Sequence, residues 1–463
     1  VDAAHGLGLG VILDVVYNHL GPDGAYHKLF AEDYYNRDRP KTEWGDALNF
    51  DGPNCAPVRE FFLANARYWI DEFHLDGLRL DATQVILDDS PDHILKALAR
   101  DARDAANGRS IVLIAEDESQ DGIRVRLPEQ GGWGLDAQWN DDFHHAAVVA
   151  LTGRSEAYYS DYLGSPQELI SAVKWGFLFQ GQYFSWQKKR RGTPTFNLPA
   201  ASFVTYLENH DQVSNSARGD RLQGLTSPGR YKAVTAMWLL APGTPMFFQG
   251  QEFGASKPFL YFADHVDRLA RLVQKGRYEF LGQFRSISQS EVQQYLPDPG
   301  APETFVESKL DRTERLRHPE LVALHRDLLT LRREDPIFRL QRSDLIHGAV
   351  IGPEALLLRS FSPDSADCRV VVVNLGRDLF PNPTSEPLMA PPPGRGWEIL
   401  WYSEHPRYGG CGAPPLDVED YWRIPGHAAI VLRPVPLETG ESQAGEPLDG
   451  AGPNGHSQAG MPG

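Results

Sequence analysis

The chain has 463 residues, 41% of them hydrophobic, which is room for two or three domains, or for one large domain with an appendage. A net charge of −17 argues against nucleic acid or an anionic membrane as partner, since both need a basic face. No apolar run approaches transmembrane length, and Cys55, Cys368 and Cys411 are too scattered for a disulfide framework or a zinc site, so they fit a reducing, cytoplasmic compartment.

Val1–Gly10 reads as the tail of a helix entering a glycine-rich turn. Gly6, Gly8 and Gly10 precede a strand instead of following one, so this is no dinucleotide loop. Val11–Tyr17 is a β-rich apolar run that ends in Asn18-His19. Gly21–Pro57 is irregular, and loops of that length usually carry function. Val58–Phe73 is predicted helical from Val58, Phe61, Phe62, Trp69, Ile70 and Phe73. Leu78–Thr83 is the next strand. Ser90-Pro91 predicts a helix start, and Gly108 follows its end.

Ser110–Ala115 is a buried strand followed by Glu116-Asp117-Glu118, and Leu135–Trp139 one followed by Asn140-Asp141-Asp142. Ser165-Pro166 caps a helix. Ser202–Leu207 is a strand ending in Glu208-Asn209-His210-Asp211. Arg230–Leu240 is an apolar helix, and Thr244–Phe248 a strand ending in Gln249-Gly250-Gln251-Glu252. Leu321, Leu324, Leu328 and Leu331 mark a last helix.

Alternating strands and helices imply a parallel sheet. A polar cluster at the carboxyl end of nearly every strand favours a (β/α)8 TIM-type barrel over a doubly wound sheet, whose function gathers at one switch point. Only six strands are legible where a closed barrel has eight. The fold expected is therefore an α/β barrel lacking its first two strands, an amino-terminal excision that fits the missing initiator Met. Residues 1–335 would form the barrel. Short strands at Ala355–Ser360, Arg369–Asn374, Glu398–Tyr402 and Ala428–Arg433 place a small antiparallel β-sandwich domain over 336–436. Residues 437–463, rich in Gly, Pro, Ser and Glu, read as a disordered tail.

Glycoside cleavage needs two carboxyl groups across the bond, one a nucleophile and one a proton donor of raised pKa. Arg79 and Asp81 lie two apart on a strand and so share a face. The guanidinium would keep Asp81 ionised, which suits a nucleophile. A buried structural ion pair would look the same in isolation. Glu116 is the first acid after an apolar run, and partial burial would raise its pKa, which suits a general acid. Glu118 is its rival, whereas Asp117 should face away. Asp211 could steady positive charge in the transition state. Asp14 is a further strand-end candidate, His19 and His210 could donate hydrogen bonds to the sugar, and Asn140 and Asp141 could line the cleft. His144-His145 reads as structural.

Asp14-Val-Val-Tyr-Asn18-His19, Gly77-Leu-Arg79-Leu-Asp81-Ala, Ala115-Glu116-Asp117 and Asn209-His210-Asp211 resemble, in order, the four signature regions of the α-amylase superfamily. The resemblance implies that Asp81 is the nucleophile, Glu116 the acid/base and Asp211 the transition-state stabiliser of a retaining glycoside hydrolase. Asp14, His19, Arg79 and His210 would support the sugar. The stretches Lys41–Gly52, Gln138–His145, Asn209–Val213, Phe247–Phe253, Pro258–His265 and Glu303–Leu310 are similar to the malto-oligosyltrehalose trehalohydrolase family. That family cleaves the α-1,4 bond beside a terminal trehalose and serves trehalose biosynthesis. The partner implied is malto-oligosyltrehalose or a related α-glucan. The alternatives are a 1,4-α-glucan branching enzyme or other α-amylase-type α-glucan hydrolase, and an inactive amylase-like binding module or truncated fragment. Thr83-Gln84 stands where Val-His is usual in the family, so sugar recognition there should differ. The resemblance implies acids and a His in this region where calcium is bound, and Gln84 is neither, so no structural calcium, other metal or cofactor is expected.

Overall fold

A computed structural model describes residues 1–21, 24–41, 45–381, 385–412, 417–418 and 421–437. Its first sheet has six parallel strands: β1 (Ile12–Val15), β2 (Gly77–Leu80), β3 (Val112–Ala115), β4 (Ala137–Trp139), β5 (Phe203–Thr205) and β6 (Thr244–Pro245). They are hydrogen-bonded neighbours in sequence order, the arrangement that successive β/α crossovers produce. The register pairs Asp14 with Arg79, and Leu80 with Ala115. A Cβ at Gly77 would stand 2.0 Å from the Val112 carbonyl oxygen, so only glycine lets β2 close on β3 at that point.

The crossovers are α1 (Cys55–Asp71), α2 (Ile94–Ala105), α3 (Asp141–Thr152), α4 (Pro166–Trp175), α5 (Pro228–Leu240), α6 (Asp267–Leu281) and α7 (Pro319–Glu334), together with shorter turns. In α1 the buried stripe is Val58, Phe62, Ala66 and Ile70, spaced by four. Phe61 and Phe73, assigned to that face from sequence, lie outside it and are exposed. Ser165 caps α4 as expected, its hydroxyl accepting from the Glu168 amide at 3.3 Å.

The start of α2 differs from the sequence reading. Ser90-Pro91 does not open the helix, which begins at Ile94. Asp88 is the reason. Its buried carboxylate accepts from the Ser90 amide (2.9 Å) and the Ile94 amide (2.5 Å), and pairs with Arg59 at 2.7 Å. The Ser-Pro step is thereby held in a turn, and the first orphan amide is satisfied from outside the helix. The helices α3 and α6 were not legible in the sequence.

A second sheet is antiparallel: β7 (Ile346–Gly352), β8 (Ala355–Phe361), β9 (Cys368–Asn374), β10 (Arg395–Tyr402) and β11 (Ala428–Pro436), in the order β10-β11-β9-β8-β7. Its side chains alternate as a strand requires. Leu356, Leu358, Val371, Val373, Ala429 and Val431 join Ile170 of α4, Trp238 of α5 and Leu324 of α7 in the largest core. Leu357, Val370, Val372, Ile430 and Leu432 face the other way, onto Met389 and Ile424. The edge strand β7 was missed in the sequence. Beyond Leu437, the tail expected to be disordered lies outside the described residues. No described helix is long and apolar enough to cross a membrane.

Candidate active site

The carboxyl ends of β1, β2, β3 and β5 deliver acids to one place, and Arg79 is the hub. Its Nη1 donates to Asp14 Oδ1 at 2.8 Å and to Asp81 Oδ1 at 2.7 Å, while Nη2 stands 3.7 Å from Glu116 Oε2. The alternation expected of Arg79 and Asp81 therefore holds. The in-register neighbour Asp14 shares the same guanidinium. From the other side, the Trp139 ring lies 4.2 Å from the guanidinium carbon. This cation–π contact keeps Arg79 buried and fixes its plane.

Asp81 has a second support. Asn18 donates from Nδ2 to the Asp81 backbone oxygen (2.8 Å) and to its Oδ2 (2.9 Å). Beyond Asp81 the chain turns sharply. Ala82 adopts φ 40° and ψ 53°, a left-handed conformation that costs about 1–2 kcal/mol outside glycine. Its amide donates to Glu116 Oε2 at 2.5 Å, and the Thr83 amide donates to the Glu116 backbone oxygen at 2.8 Å. The strained step thus ties the end of β2 to the end of β3.

Glu116 and Asp81 occupy facing positions, one residue past the Leu80–Ala115 pair. Their environments differ. Burial pushes the Glu116 carboxyl up to about 8, with Arg79 opposing and the charges of Asp141 and Asp81 adding. Asp81 instead holds the guanidinium and the Asn18 amide.

Asp211 opens a one-turn helix, His210–Ser214, whose cap Asn209 accepts from the Gln212 amide at 2.7 Å. Burial raises the Asp211 pKa; His210 and Arg79 lower it, and Asp81 and Asp141 raise it further. His210 Nε2 stands 3.4 Å from Asp211 Oδ2. Burial lowers the His19 pKa against the pull of Asp81, and the His19 ring contacts Asn18 Oδ1.

Two of the nine sequence-predicted site residues need separate comment. Asn140 does not line a cleft. It is fully buried, accepts from the Phe143 amide (3.1 Å) as the cap of α3, and donates to the Gly176 oxygen (2.8 Å). Both ends of its amide are committed to the fold. Asp141 lies at the edge of the cluster, where it accepts from the Tyr206 hydroxyl and faces Arg191 Nη2 at 3.6 Å. Asp117 turns away from the acids, as its place in the strand pattern requires, and pairs with Arg124 at 2.9 Å. Glu118 is engaged by the Gln187 side chain. His144 and His145 are buried among Tyr159, Tyr162 and Tyr206.

Sequence reasoning missed Asn18, Trp139, Tyr206 and Arg191. Asn18 and Trp139 sat inside quoted motifs, beside residues with more obvious chemistry. Arg191 gave no signal, because it arrives from a hairpin far along the chain, at Tyr183–Phe184 and Lys189–Arg190. A separate cavity of about 340 Å³ lies on the far side of the Asp211 helix, lined by Tyr159, Gln212 and Phe284 among others; none of the three acids enters it.

A family model described as a domain of unknown function, DUF3459, matches residues 343–431, which hold most of the antiparallel sheet. A malto-oligosyltrehalose trehalohydrolase of Deinococcus radiodurans is 40% identical over 82% of this chain and 61% of its own length. One from Saccharolobus solfataricus is 39% identical over 72% and 56%. The chain thus spans about three-fifths of the length of these curated relatives. An α-amylase-type protein of Salmonella typhimurium superposes with a TM-score of 0.78 at 32% identity, covering 93% of this chain and 69% of that one. With this overlap in sequence and fold, and with the acids gathered at the strand ends, the chain belongs to the α-amylase superfamily and is similar, within it, to the malto-oligosyltrehalose trehalohydrolases.

Proposed function

We propose that this chain carries the catalytic centre of a retaining glycoside hydrolase that cleaves the α-1,4-glucosidic bond next to the terminal trehalose of malto-oligosyltrehalose and releases trehalose. The observation that carries this reading is the contrast between two facing acids. Asp81 is held by Arg79 and Asn18, whereas Glu116 is raised to about 8 by burial. A nucleophile beside a protonated acid is the division of labour that retention requires. Neighbouring strands run about 4.8 Å apart, so facing carboxyls suit the short separation of a retaining pair, about 5–5.5 Å.

In this mechanism Asp81 attacks the anomeric carbon while Glu116 gives its proton to the departing glycosidic oxygen. Glu116, now a carboxylate, takes a proton from the water that opens the glycosyl–Asp81 ester, and the anomeric configuration is kept. Asp211 stabilises the oxocarbenium-like charge in the transition state of each step. Asp14, Arg79, His19, His210 and Asp141 hold the sugar and the acids in place. No step calls on a cofactor.

The substrate assignment follows the similarity to the two named trehalohydrolases. On this reading residues 1–335 are the catalytic unit and 336–436 a β-sandwich that braces it. The six strands are part of an eight-stranded barrel whose first two strands would bridge the edges β6 and β1. A cytoplasmic setting fits the free cysteines.

Peptide mass spectrometry after reaction with a fluorinated maltosyl fluoride, which slows the second step, tests the mechanism. A maltosyl adduct on the peptide holding Asp81, absent from Asp81→Asn, is expected. Turnover with no adduct, or with the adduct on another acid, would refute the assignment.

A further inference from the structure

The one-turn helix that carries Asp211 is too short to hold itself together, since an isolated helix needs about 12–15 residues to be even marginal in water. Its amino end is capped by Asn209. Its carboxyl end is gripped from outside. Arg277, on the third turn of α6, donates from Nη2 to the Ser214 backbone oxygen and from Nη1 to Asn215 Oδ1. Asn215 in turn donates its amide to the Asp211 backbone oxygen at 2.7 Å, and Ser214 Oγ donates to the same oxygen at 3.3 Å. Two bonds therefore separate the guanidinium from the backbone of Asp211. Both hydrogen-bond acceptors of Arg277 are neutral, and its charge also acts through space on the Asp211 carboxylate.

Arg277 is itself held. Its guanidinium carbon stands 5.1 Å over the Tyr261 ring and 5.8 Å over the Phe280 ring. Burial lowers its pKa to about 10, with Tyr261, Tyr158 and Asp211 opposing, so it stays charged at neutral pH. The end of α6 is anchored by a small core of Leu281, Phe284, Ile287 and Leu296, packed on Tyr158 and Ala217.

We propose that Arg277 is a positioning residue for Asp211: it clamps the carboxyl end of the His210–Ser214 turn and so makes the aim of Asp211 depend on α6. This rests on the transition-state role proposed for Asp211. A group that acts through the transition-state stabiliser alters kcat and leaves substrate affinity almost alone.

The test compares Arg277→Met, Arg277→Lys and Asp211→Asn with the parent, all in the full-length protein, on malto-oligosyltrehalose, with circular dichroism to count folded molecules. Asp211→Asn should lose activity by orders of magnitude. Arg277→Met should lose at least tenfold in kcat per folded molecule with KM within about twofold. Arg277→Lys, which keeps a donor and the charge, should fall between Met and the parent. Hydrogen exchange in the peptide 209–216 should speed up in Arg277→Met. A Met variant within twofold of the parent in kcat, a loss carried by KM, or a Lys variant no better than Met would overturn the proposal. Parental activity in Asp211→Asn would instead remove the role of Asp211, and this inference with it.

Discussion

At the scale of single residues, the site turns on Arg79 and on what it does not do. It bonds Asp14 and Asp81 directly but reaches Glu116 only at 3.7 Å. Desolvation therefore wins at Glu116 and raises its pKa to about 8. Catalysis should follow: kcat/KM should hold up to about pH 8 and fall above it, as the proton needed by the leaving group is lost. Stability should follow with a definite sign. The folded state binds the Glu116 proton more tightly than the unfolded state, whose value is near 4.5. Stability is then lost as pH rises from about 4.5 towards 8. Glu116→Gln should be inactive yet melt higher than the parent at pH 8, and the two should melt alike at pH 4. Equal melting at both values would contradict the burial argument.

The residues bearing this chemistry were legible because strand alternation and strand-end position are local facts. Asp81 and Arg79 needed only a period of two, and Glu116 only the apolar run before it. Asn140 misled because a polar residue at a strand end has two uses, cap and ligand, and only packing decides between them. In the structure, Gly176 and Phe143 take both ends of its amide. Arg191 was invisible for the opposite reason, since a contact made across tens of residues leaves no trace in spacing.

At the scale of elements, capping decided where the sequence reading held. Ser165 and Ser227 cap their helices through their own hydroxyls, to Glu168 and Arg230 amides, and those starts were correctly placed within two residues or fewer. At α2 the side chain that satisfies the first amide comes from Asp88, six residues before it, so the Ser-Pro signal pointed to a turn instead. Asp88 also shields Arg59, which reaches the Phe50 oxygen at 2.8 Å. Asp88→Ala should leave a half-buried guanidinium without its anion and free the start of α2. Removing one member of such a pair costs on the order of 3 kcal/mol, readable as a lower denaturation midpoint in urea. A loss under about 0.5 kcal/mol would mean that Arg59 and the helix start are held by other groups. The helix α6 escaped the sequence reading because its apolar residues meet a small satellite core rather than the main one.

At the scale of the whole molecule, two sheets share one wall of helices. The helix α5 is buried on every side because one face meets the parallel strands and the other the antiparallel sheet, so it shows no amphipathic stripe. The antiparallel sheet was legible in four of its five strands. β7 was lost because it lies at the edge, with mixed exposure and two glycines. Gly348 there sits where a Cβ would stand 2.5 Å from Ile170 Cγ2 of α4, so the sheet docks through the gap in its pattern that hid the strand. This bracing keeps α5 and α7 fixed behind β5 and β6, and the loop after β5 carries Asp211. The substrate claim belongs to this scale, because discrimination needs the complete cleft around the acids. The most direct measurement is to incubate the full-length protein that carries this chain with malto-oligosyltrehalose and, separately, with a plain malto-oligosaccharide of the same length, and to quantify the released disaccharide. The account predicts trehalose from the first at a rate far above any cleavage of the second. Equal turnover of both, with no trehalose released, would contradict it.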